Sequence, residues 1–288
     1  MIKNQKPAYW VTVRDALFDF LVAESGEARL YEATVYRAPV IKSIGLNPTV
    51  AESDIYASGI TYDHIRRVQG AEISLGAVAL EHALIDKAMG AAGSGGFVFD
   101  KTDNNSREFA FGYYIEQKDG NYVYYWHPRC ILTQTDEAVE TATDSAPDPN
   151  RSFTIKALPT SEGVWRVRYY TQDVGENALT PEQFFAFVRY TEAVQASGVT
   201  LGTAQVSTAC TATVTYADNA TPSNPTISYA WYLGSTEDGD FTKISGAESA
   251  SYNPVAGDAG KYLKCVALIS GSAMGYVESD AKKVSAAA

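Results

Sequence analysis

The feature that most constrains the fold of this chain is a succession of short segments rich in Tyr, Thr and Val, separated by turn residues. The sequence contains 19 Tyr, and aromatic and β-branched side chains suit the pleated, half-buried surface of a sheet better than a helix. One hairpin is especially clear. Asp119 and Gly120 separate residues 113–115 from residues 122–126, and an Asp-Gly pair favours a tight antiparallel turn. The pattern predicts a mainly β fold.

A single segment departs from this pattern. In residues 76–89, Leu80, Leu84 and Ala88 recur every four positions, which is the spacing of one face of a helix. Gly90 follows as a C-terminal stop. We expect one α-helix here, flanking the sheet of the N-terminal part.

The length of the chain and a change in its composition predict two domains. Compact domains usually contain about 100 to 200 residues, and the chain has 288. Towards residue 202 the sequence becomes poor in bulky side chains, which is typical of a linker. We therefore expect a domain at 1–195, a linker at 196–202 and a second domain at 203–288.

The charge balance argues against a protein that grips nucleic acid. The formal net charge is −11, and acidic residues exceed basic ones by 26 to 18 in residues 1–197 and by 8 to 5 in the remainder. Affinity for phosphates comes from clustered Lys and Arg. An acidic surface can still lie beside DNA that has to slide past it, since like charges repel across a screened gap.

Two further features bear on the compartment. The sequence has no recognisable secretory signal and no run of roughly 18 apolar residues that could span a bilayer. Its three cysteines are too few for a disulfide scaffold. We expect a chain without a membrane segment, assembled in a reducing cytoplasm, in which Cys130 is a buried thiol.

Two motifs stand among the short strand-like segments of the C-terminal part. Residues 228–231 (SYAW) have the form of a strand that carries a core Trp, and residues 258–262 (DAGKY) have the form of a tyrosine corner. With them, this part resembles the immunoglobulin-like domains of bacterial and phage surface proteins. The resemblance implies a β-sandwich with Cys210, Trp231 and Tyr262 in its core.

The second cysteine of this part departs from the antibody pattern. That pattern has a cysteine two residues after the Tyr, but Lys264 occupies this position and Cys265 follows it. A shift of one residue turns a strand side chain to the other face. Cys210 and Cys265 could therefore bridge or stay reduced, and the lack of a recognisable export signal favours the reduced form.

Several segments of the N-terminal part follow one another in a characteristic order. They are residues 73–75 (ISL) with the helix after them, 122–126 (YVYYW) leading into 128–132 (PRCIL), the acidic Thr-rich segment 133–144, and 153–158 with 163–167 (GVWRV). In order and spacing they resemble the major tail proteins of siphoviruses, bacteriophages with long non-contractile tails. An immunoglobulin-like domain at the C-terminus is common in that family.

The resemblance implies a tail tube β-sandwich or barrel with one flanking helix, in a structural virion protein. Copies of it would form stacked rings, usually of six subunits, and DNA would pass through the lumen during ejection without specific binding. Closing the sheets into a ring removes exposed sheet edges. Lumen-facing carboxylates would repel the phosphate backbone and prevent stalling.

The same resemblance implies partners and a location. The partners are the tape measure protein, the tail terminator and the distal tail protein, and the place is the virion after assembly in the cytoplasm of the bacterial host. The immunoglobulin-like domain would project outward and contact host surface glycans weakly.

Residues 40–59 form a long stretch with little alternation that contains Gly45 and Ser58-Gly59, which predicts a loop. Loops of this length are usually functional or disordered. In the implied tube this loop would reach the next ring, and a merely mobile surface loop is the alternative. The apolar residues expected at the contact are Leu46, Pro48, Ile55 and Tyr56.

No residue pattern indicates catalysis. His82 and Asp86 are spaced as a helical pair of metal ligands might be, but two ligands do not form a site, and we expect both to face solvent. No catalytic, cofactor-binding or metal residue is assigned, and the chain is not expected to be an enzyme.

The main alternative function is a carbohydrate-binding adhesin or capsid-decoration protein. A glycosidase with paired carboxylates is third, because their separation cannot be read from sequence.

Overall fold

The computed structural model of the chain is mainly β, as the sequence predicts. It describes residues 8–32, 34–57, 60–94, 96–102, 104–136, 151–175 and 178–287. Two compact units are present: Tyr31–Tyr190 forms most of the first and Thr191–Ala288 most of the second, with which Val22–Leu30 groups. Within the described ranges, no helix combines the length and the apolar character that crossing a membrane requires.

Among the described residues, the first unit contains a large sheet, a separate two-stranded sheet of β6 and β7, and three short helices. Its strands are β1 (Trp10–Ser25), β2 (Ala28–Tyr31), β3 (Tyr36–Ala38), β4 (Ile41–Ala57), β5 (Ile60–Ala77), β6 (Ala92–Ser94), β7 (Phe97–Phe99), β8 (Phe109–Gln117), β9 (Tyr122–Asp136), β10 (Arg151–Ala157) and β11 (Val167–Tyr170). Its helices are α1 (His82–Met89), α2 (Thr171–Val174) and α3 (Pro181–Phe184). Most of the acidic Thr-rich segment, residues 137–144, lies outside the described residues.

The strand order of the large sheet is β2-β1-β8-β9-β10-β5-β4, with β3 beside β1 and β11 beside β9. The predicted hairpin joins β8 to β9, and Tyr114 lies opposite Tyr124 across it. β8 and β9 occupy the middle of the sheet, and β4 ends the order on one side. The polar groups along the outer edge of β4 are therefore without a neighbouring strand among the described residues.

Both faces of the central strands are covered. One face packs Phe18, Ile73, Phe111 and Phe153 against α1. The other face packs Tyr124 and Trp126 and is covered by Phe184, Phe185 and Val188. For this reason β8 reads as a nearly continuous apolar run instead of an alternating one.

The predicted helix is present but shorter than expected. α1 begins at His82 rather than at residue 76, because β5 continues to Ala77 in register with Arg151. The predicted stripe is buried, and the helix ends at Gly90, whose φ of 70° is a left-handed conformation that suits glycine. The spacing of apolar residues thus located the helix, whereas its start was set by pairing of the preceding strand.

The loop prediction for residues 40–59 is wrong. Most of this segment is β4, a strand of 17 residues that pairs antiparallel with β5. Alternation is weak because the second half of β4 is exposed on both faces, so its side chains carry no inside-outside pattern. Pro48 is tolerated because β4 is an edge strand, where a missing N–H leaves no partner unsatisfied.

The second unit is a single sheet whose halves face each other across a core. Its strands are β12 (Val194–Leu201), β13 (Cys210–Tyr216), β14 (Thr226–Gly234), β15 (Phe241–Lys243), β16 (Ser251–Tyr252), β17 (Tyr262–Ser270), β18 (Ala273–Glu278) and β19 (Lys282–Lys283). Their order is β15-β14-β17-β18-β12-β13-β16, and β12 pairs parallel with β18. Trp231 is fully buried at the centre, as predicted.

The predicted linker at 196–202 is wrong, because residues 194–201 form β12 between β13 and β18. The small side chains that suggested flexibility serve close packing instead. A Cβ atom added to Gly275 of β18 would lie 2.6 Å from the Cβ of Ala196, so the two strands approach where neither carries bulk. The boundary between the units therefore precedes Val194.

Tyr262 was predicted in the core, and this is also wrong. Along β17 the buried side chains are Leu263 and Cys265 and those that alternate with them, so Tyr262 lies on the other face, half-buried. The motif has a different use: the carboxylate of buried Asp258 accepts hydrogen bonds from the Tyr252 hydroxyl at 2.8 Å and from the Val255 N–H at 2.9 Å.

All three cysteines are buried free thiols. Cys210 and Cys265 face the same core, and burial followed by the proximity of Cys210 raises the pKa of Cys265 to about 12. Both thiols are therefore protonated at neutral pH. Cys130 is fully buried, as predicted.

Gly112 offers a test of the packing on β8. A Cβ atom at this position would lie 2.8 Å from Cζ3 of Trp126 and 3.0 Å from Cε1 of Phe185, and neither ring can withdraw from a covered sheet. We expect Gly112→Ala to lower the free energy of unfolding by about 1–3 kcal/mol, measured by denaturant unfolding. Gly45→Ala is the control, since its Cβ would meet Ser74 at an ordinary 3.6 Å. Equal effects of the two substitutions would contradict this account.

The burial of the Asp19 side chain in β1 is energetically unfavourable. Its side chain is almost fully buried, and its Oδ1 atom has no hydrogen-bond partner. Burial, aided by the charge of Glu32, raises the pKa of Asp19 to about 8. Between pH of about 4 and about 8, the folded chain retains a proton that the unfolded chain has lost, so this group lowers stability as pH rises through that window.

We expect Asp19→Asn to stabilise the protein increasingly from pH 5 to pH 8, by an amount on the order of a few kcal/mol at the upper end. The asparagine keeps the shape but has no proton to lose. Thermal unfolding across this range measures the effect, with the exposed Asp100→Asn as the control. Parallel pH profiles for Asp19→Asn and the unmodified chain would refute the assignment.

Candidate functional site

The paired strands β4 and β5 continue beyond the rest of the sheet. β10 accompanies β5 only between Ala71 and Ala77, so among the described residues 50–57 and 60–68 pair only with each other. We call this two-stranded extension the arm. Each of its strands has about 8 residues, which gives a length of about 26 Å at 3.3 Å per residue.

One face of the arm carries two cross-strand ion pairs. Arg66 Nε lies 3.2 Å from Glu52 Oε1, and His64 Nδ1 lies 2.5 Å from Asp54 Oδ1. The hydrogen bond to His64 lowers the pKa of Asp54, and the same bond raises the pKa of His64. We call this surface the charged face. Its two carboxylates each have a basic partner within the arm.

The other face of the arm carries two exposed isoleucines together with Asp63 and Arg67, the register partner of Ala51. Strand side chains alternate, so Ile55 and Ile65 lie opposite to the charged face, and they are 43% and 48% exposed. Asp63 is the register partner of Ile55 and lies on the same face. Its carboxylate accepts a hydrogen bond from the His64 N–H at 2.8 Å, and no described cation pairs with it. We call this surface the apolar face.

The four predicted contact residues fall in two places. Ile55 and Tyr56 lie in the arm and are exposed. Leu46 is half-buried and packs against the core, and Pro48 is exposed on the nearer half of β4. Leu46 and Ile55 are about 30 Å apart along the strand. A single contact made by the end of the arm can therefore include Ile55 and Tyr56 but not Leu46.

A second uncovered apolar feature lies where the sheet curls towards itself. β1 and β4 are far apart in the strand order, yet side chains of both line one groove of about 420 Å³. We call this groove the seam. It is lined by Trp10, Val11, Thr12, Val13, Ile44, Leu46, Tyr113, Ile115, Tyr125 and Arg166.

The rim of the seam is exposed and its floor is aromatic. Tyr9, Trp10 and Val11 precede the buried part of β1 and are 61%, 63% and 56% exposed. On the floor the rings of Tyr113 and Tyr125 stack with their centroids 4.7 Å apart. Trp10 and Val11 therefore leave apolar area exposed beside the stacked tyrosines.

Arg166 is the only charged side chain among the described residues that line the seam. Its guanidinium lies 4.5 Å above the ring of Trp165. Burial, followed by the charge of Arg168, lowers the pKa of Arg166, and none of the described carboxylates forms an ion pair with it. Desolvating a cation without a counter-charge is unfavourable, so an anionic group brought to the seam would be stabilised there.

The remaining candidates for chemistry are structural. His127 is fully buried and donates from Nδ1 to the carbonyl of Trp165 at 3.2 Å, and burial lowers its pKa to about 3. His82 is exposed and Asp86 half-buried on α1. In the described part of the chain no three His, Cys, Asp or Glu side chains are grouped to hold a metal ion.

Of the four contact residues predicted from the sequence, Ile55 and Tyr56 lie in the arm and Leu46 lines the seam, whereas no other seam residue was predicted. The three consecutive bulky residues from Tyr9 to Val11 were a usable signal, because this apolar run precedes the core half of the strand and stays exposed among the described residues. Arg166 gave no signal, since its position beside the stacked tyrosines follows from the curl of the sheet and not from any local pattern.

The arm and the seam present uncovered apolar area together with charged side chains, Asp63 and Arg67 on the arm and Arg166 at the seam. No protein-family model matches the chain, and no curated protein matches its sequence.

Proposed function

We propose that this chain is a structural virion protein, the subunit of a bacteriophage tail tube. In this function copies of the chain form stacked rings, usually of six subunits, around a conduit for DNA. The resemblance of the N-terminal part to siphovirus major tail proteins supports the proposal. The observation that carries it is the arm, which leaves apolar area in water that the described chain does not cover.

The marginal stability of the arm in water favours its burial against another protein surface. A two-stranded hairpin is marginally stable by itself in water, and the apolar face adds Ile55 and Ile65 to that cost. Burial against a neighbouring copy would remove both disadvantages at once. A chain that self-assembles always has this neighbour available.

The open edge of the sheet supports the same function. β4 ends the strand order and has an unpaired outer edge over its described length, and such edges pair readily with another chain. Pro48 interrupts the edge and lacks one N–H. Joining the sheets of neighbouring copies into a ring would cover the edges and enclose a channel.

The negative charge fits a channel for DNA. A net charge of −11 would repel phosphates from a lumen wall and keep DNA moving, which we put forward as a hypothesis. Neutralising several lumen carboxylates should then slow ejection. The tape measure, tail terminator and distal tail proteins, and assembly in the host cytoplasm before incorporation into the virion, belong to the same proposal.

The alternative is an adhesin or capsid-decoration protein that binds glycans, for which the second unit would be the binding part. Electron microscopy of the purified chain separates the two functions. Rings or tubes of uniform width support the tube subunit, whereas single particles at every concentration together with glycan binding support the adhesin. Weak glycan contact by the second unit is compatible with both.

Shortening the arm tests the proposal directly. Val50 and Val68 are register partners, so residues 51–67 can be replaced by Asn-Gly, which closes a two-residue hairpin turn. We expect a folded chain that forms no tubes, because the proximal pairing of β4 with β5 is kept and the apolar face is lost. Circular dichroism measures folding, and sedimentation with electron microscopy measures assembly.

The matched control is a double variant, Glu52→Arg with Arg66→Glu, which reverses one ion pair of the charged face and keeps it balanced. We expect this variant to assemble as the unmodified chain does. Tubes of normal width from the shortened chain would count against the role of the arm.

A further inference from the structure

The arm and the seam are complementary in their chemistry. The apolar face presents Ile55 and Ile65 with the unpaired carboxylate of Asp63 beside them. The seam presents an aromatic and aliphatic groove with the unpaired guanidinium of Arg166 at its side. Each surface has uncovered apolar area; beside it the arm has Asp63 and, four residues further along β5, Arg67, and the seam has Arg166.

We propose that the seam of one copy receives the apolar face of the arm of a second copy, with Asp63 placed against Arg166. This inference rests on the proposed function and specifies the surface that receives the arm. The occupant is a second copy of this chain, because the arm carries the matching apolar area and the matching charge.

Among the described carboxylates of the arm, Asp63 is the one without an ion pair. Glu52 and Asp54 are already paired with Arg66 and His64 on the charged face. Asp63 has only a backbone N–H as partner and lies on the apolar face. It is thus the one described carboxylate of the arm that can neutralise a cation on another molecule without breaking an existing ion pair.

Arg166 is the corresponding group of the seam. Its neighbours with titratable side chains are Arg168 and tyrosines, with no carboxylate among them. A carboxylate arriving with apolar neighbours would be sheltered from water beside the guanidinium, and sheltered charge pairs contribute more to affinity than exposed ones. The tyrosine floor and Trp10 would cover the isoleucines at the same time.

Charge reversal and its rescue test the pairing in the full chain. Arg166→Glu and Asp63→Arg should each raise the concentration at which half the protein assembles by about tenfold or more, and the double variant should restore assembly. Arg168→Glu is the matched control, since it makes the same charge change on an exposed side chain that does not line the seam. Circular dichroism checks that every variant folds.

A cross-link measures the contact without relying on tube formation. A chain with Ile65→Cys is mixed with a differently tagged chain with Val11→Cys and oxidised, and a disulfide between the two tags is expected. The native cysteines are buried and do not compete. The cross-link also tests the contact between arm and seam if Arg166→Glu does not fold.

The outcomes separate this inference from the proposed function. Tubes that form normally from both single reversals, or that are not restored by the double variant, overturn the pairing of arm and seam while leaving the tube function in place. Cross-linking that appears only after residues 1–7 are removed assigns the seam to the start of its own chain and overturns the inference as well. A chain that never assembles at any concentration, and never cross-links, overturns both.

Discussion

Coverage of the central strands on both faces decides which parts of the first unit are stable without a partner. β8 and β9 lie between α1 on one side and the segment around α3 on the other, so their apolar residues are buried whichever way they point. The second half of β4 and the first half of β5 leave this covered region and, among the residues that the structure describes, pair only with each other. The same hairpin therefore begins in a core and ends in water, and the change occurs near Gly70, where β10 stops.

The sequence was sufficient wherever local chemistry decides structure. The Asp-Gly turn between β8 and β9, the stripe of Leu84 and Ala88 on α1 and the burial of Trp231 all follow from patterns within a few residues. These positions obey rules of spacing and turn chemistry that hold whatever the rest of the chain does.

It was insufficient wherever tertiary surroundings override the pattern. The arm has no alternation to detect, because the described part of the chain buries neither of its faces. β12 has small residues because it packs closely against β18, and composition alone made them resemble a linker. At Tyr262 the motif predicted a core tyrosine, whereas the structure buries Asp258 of that motif, which accepts a hydrogen bond from the Tyr252 hydroxyl. The seam joins residues from five segments, β1, β4, β8, β9 and the stretch that contains Arg166, and depends on the curl of the sheet.

The arm and the seam belong to the same chain but are different surfaces, and this difference has a geometric consequence. When a patch binds a patch unlike itself, a pair of molecules always leaves one patch of each kind unused. Addition of further molecules then continues until the rotation between neighbours closes a circle, or without end as a filament. A two-fold dimer formed through a self-complementary patch would use both patches and stop growing. An assembly formed through two unlike patches would instead have a direction, with a receiving end and an inserting end.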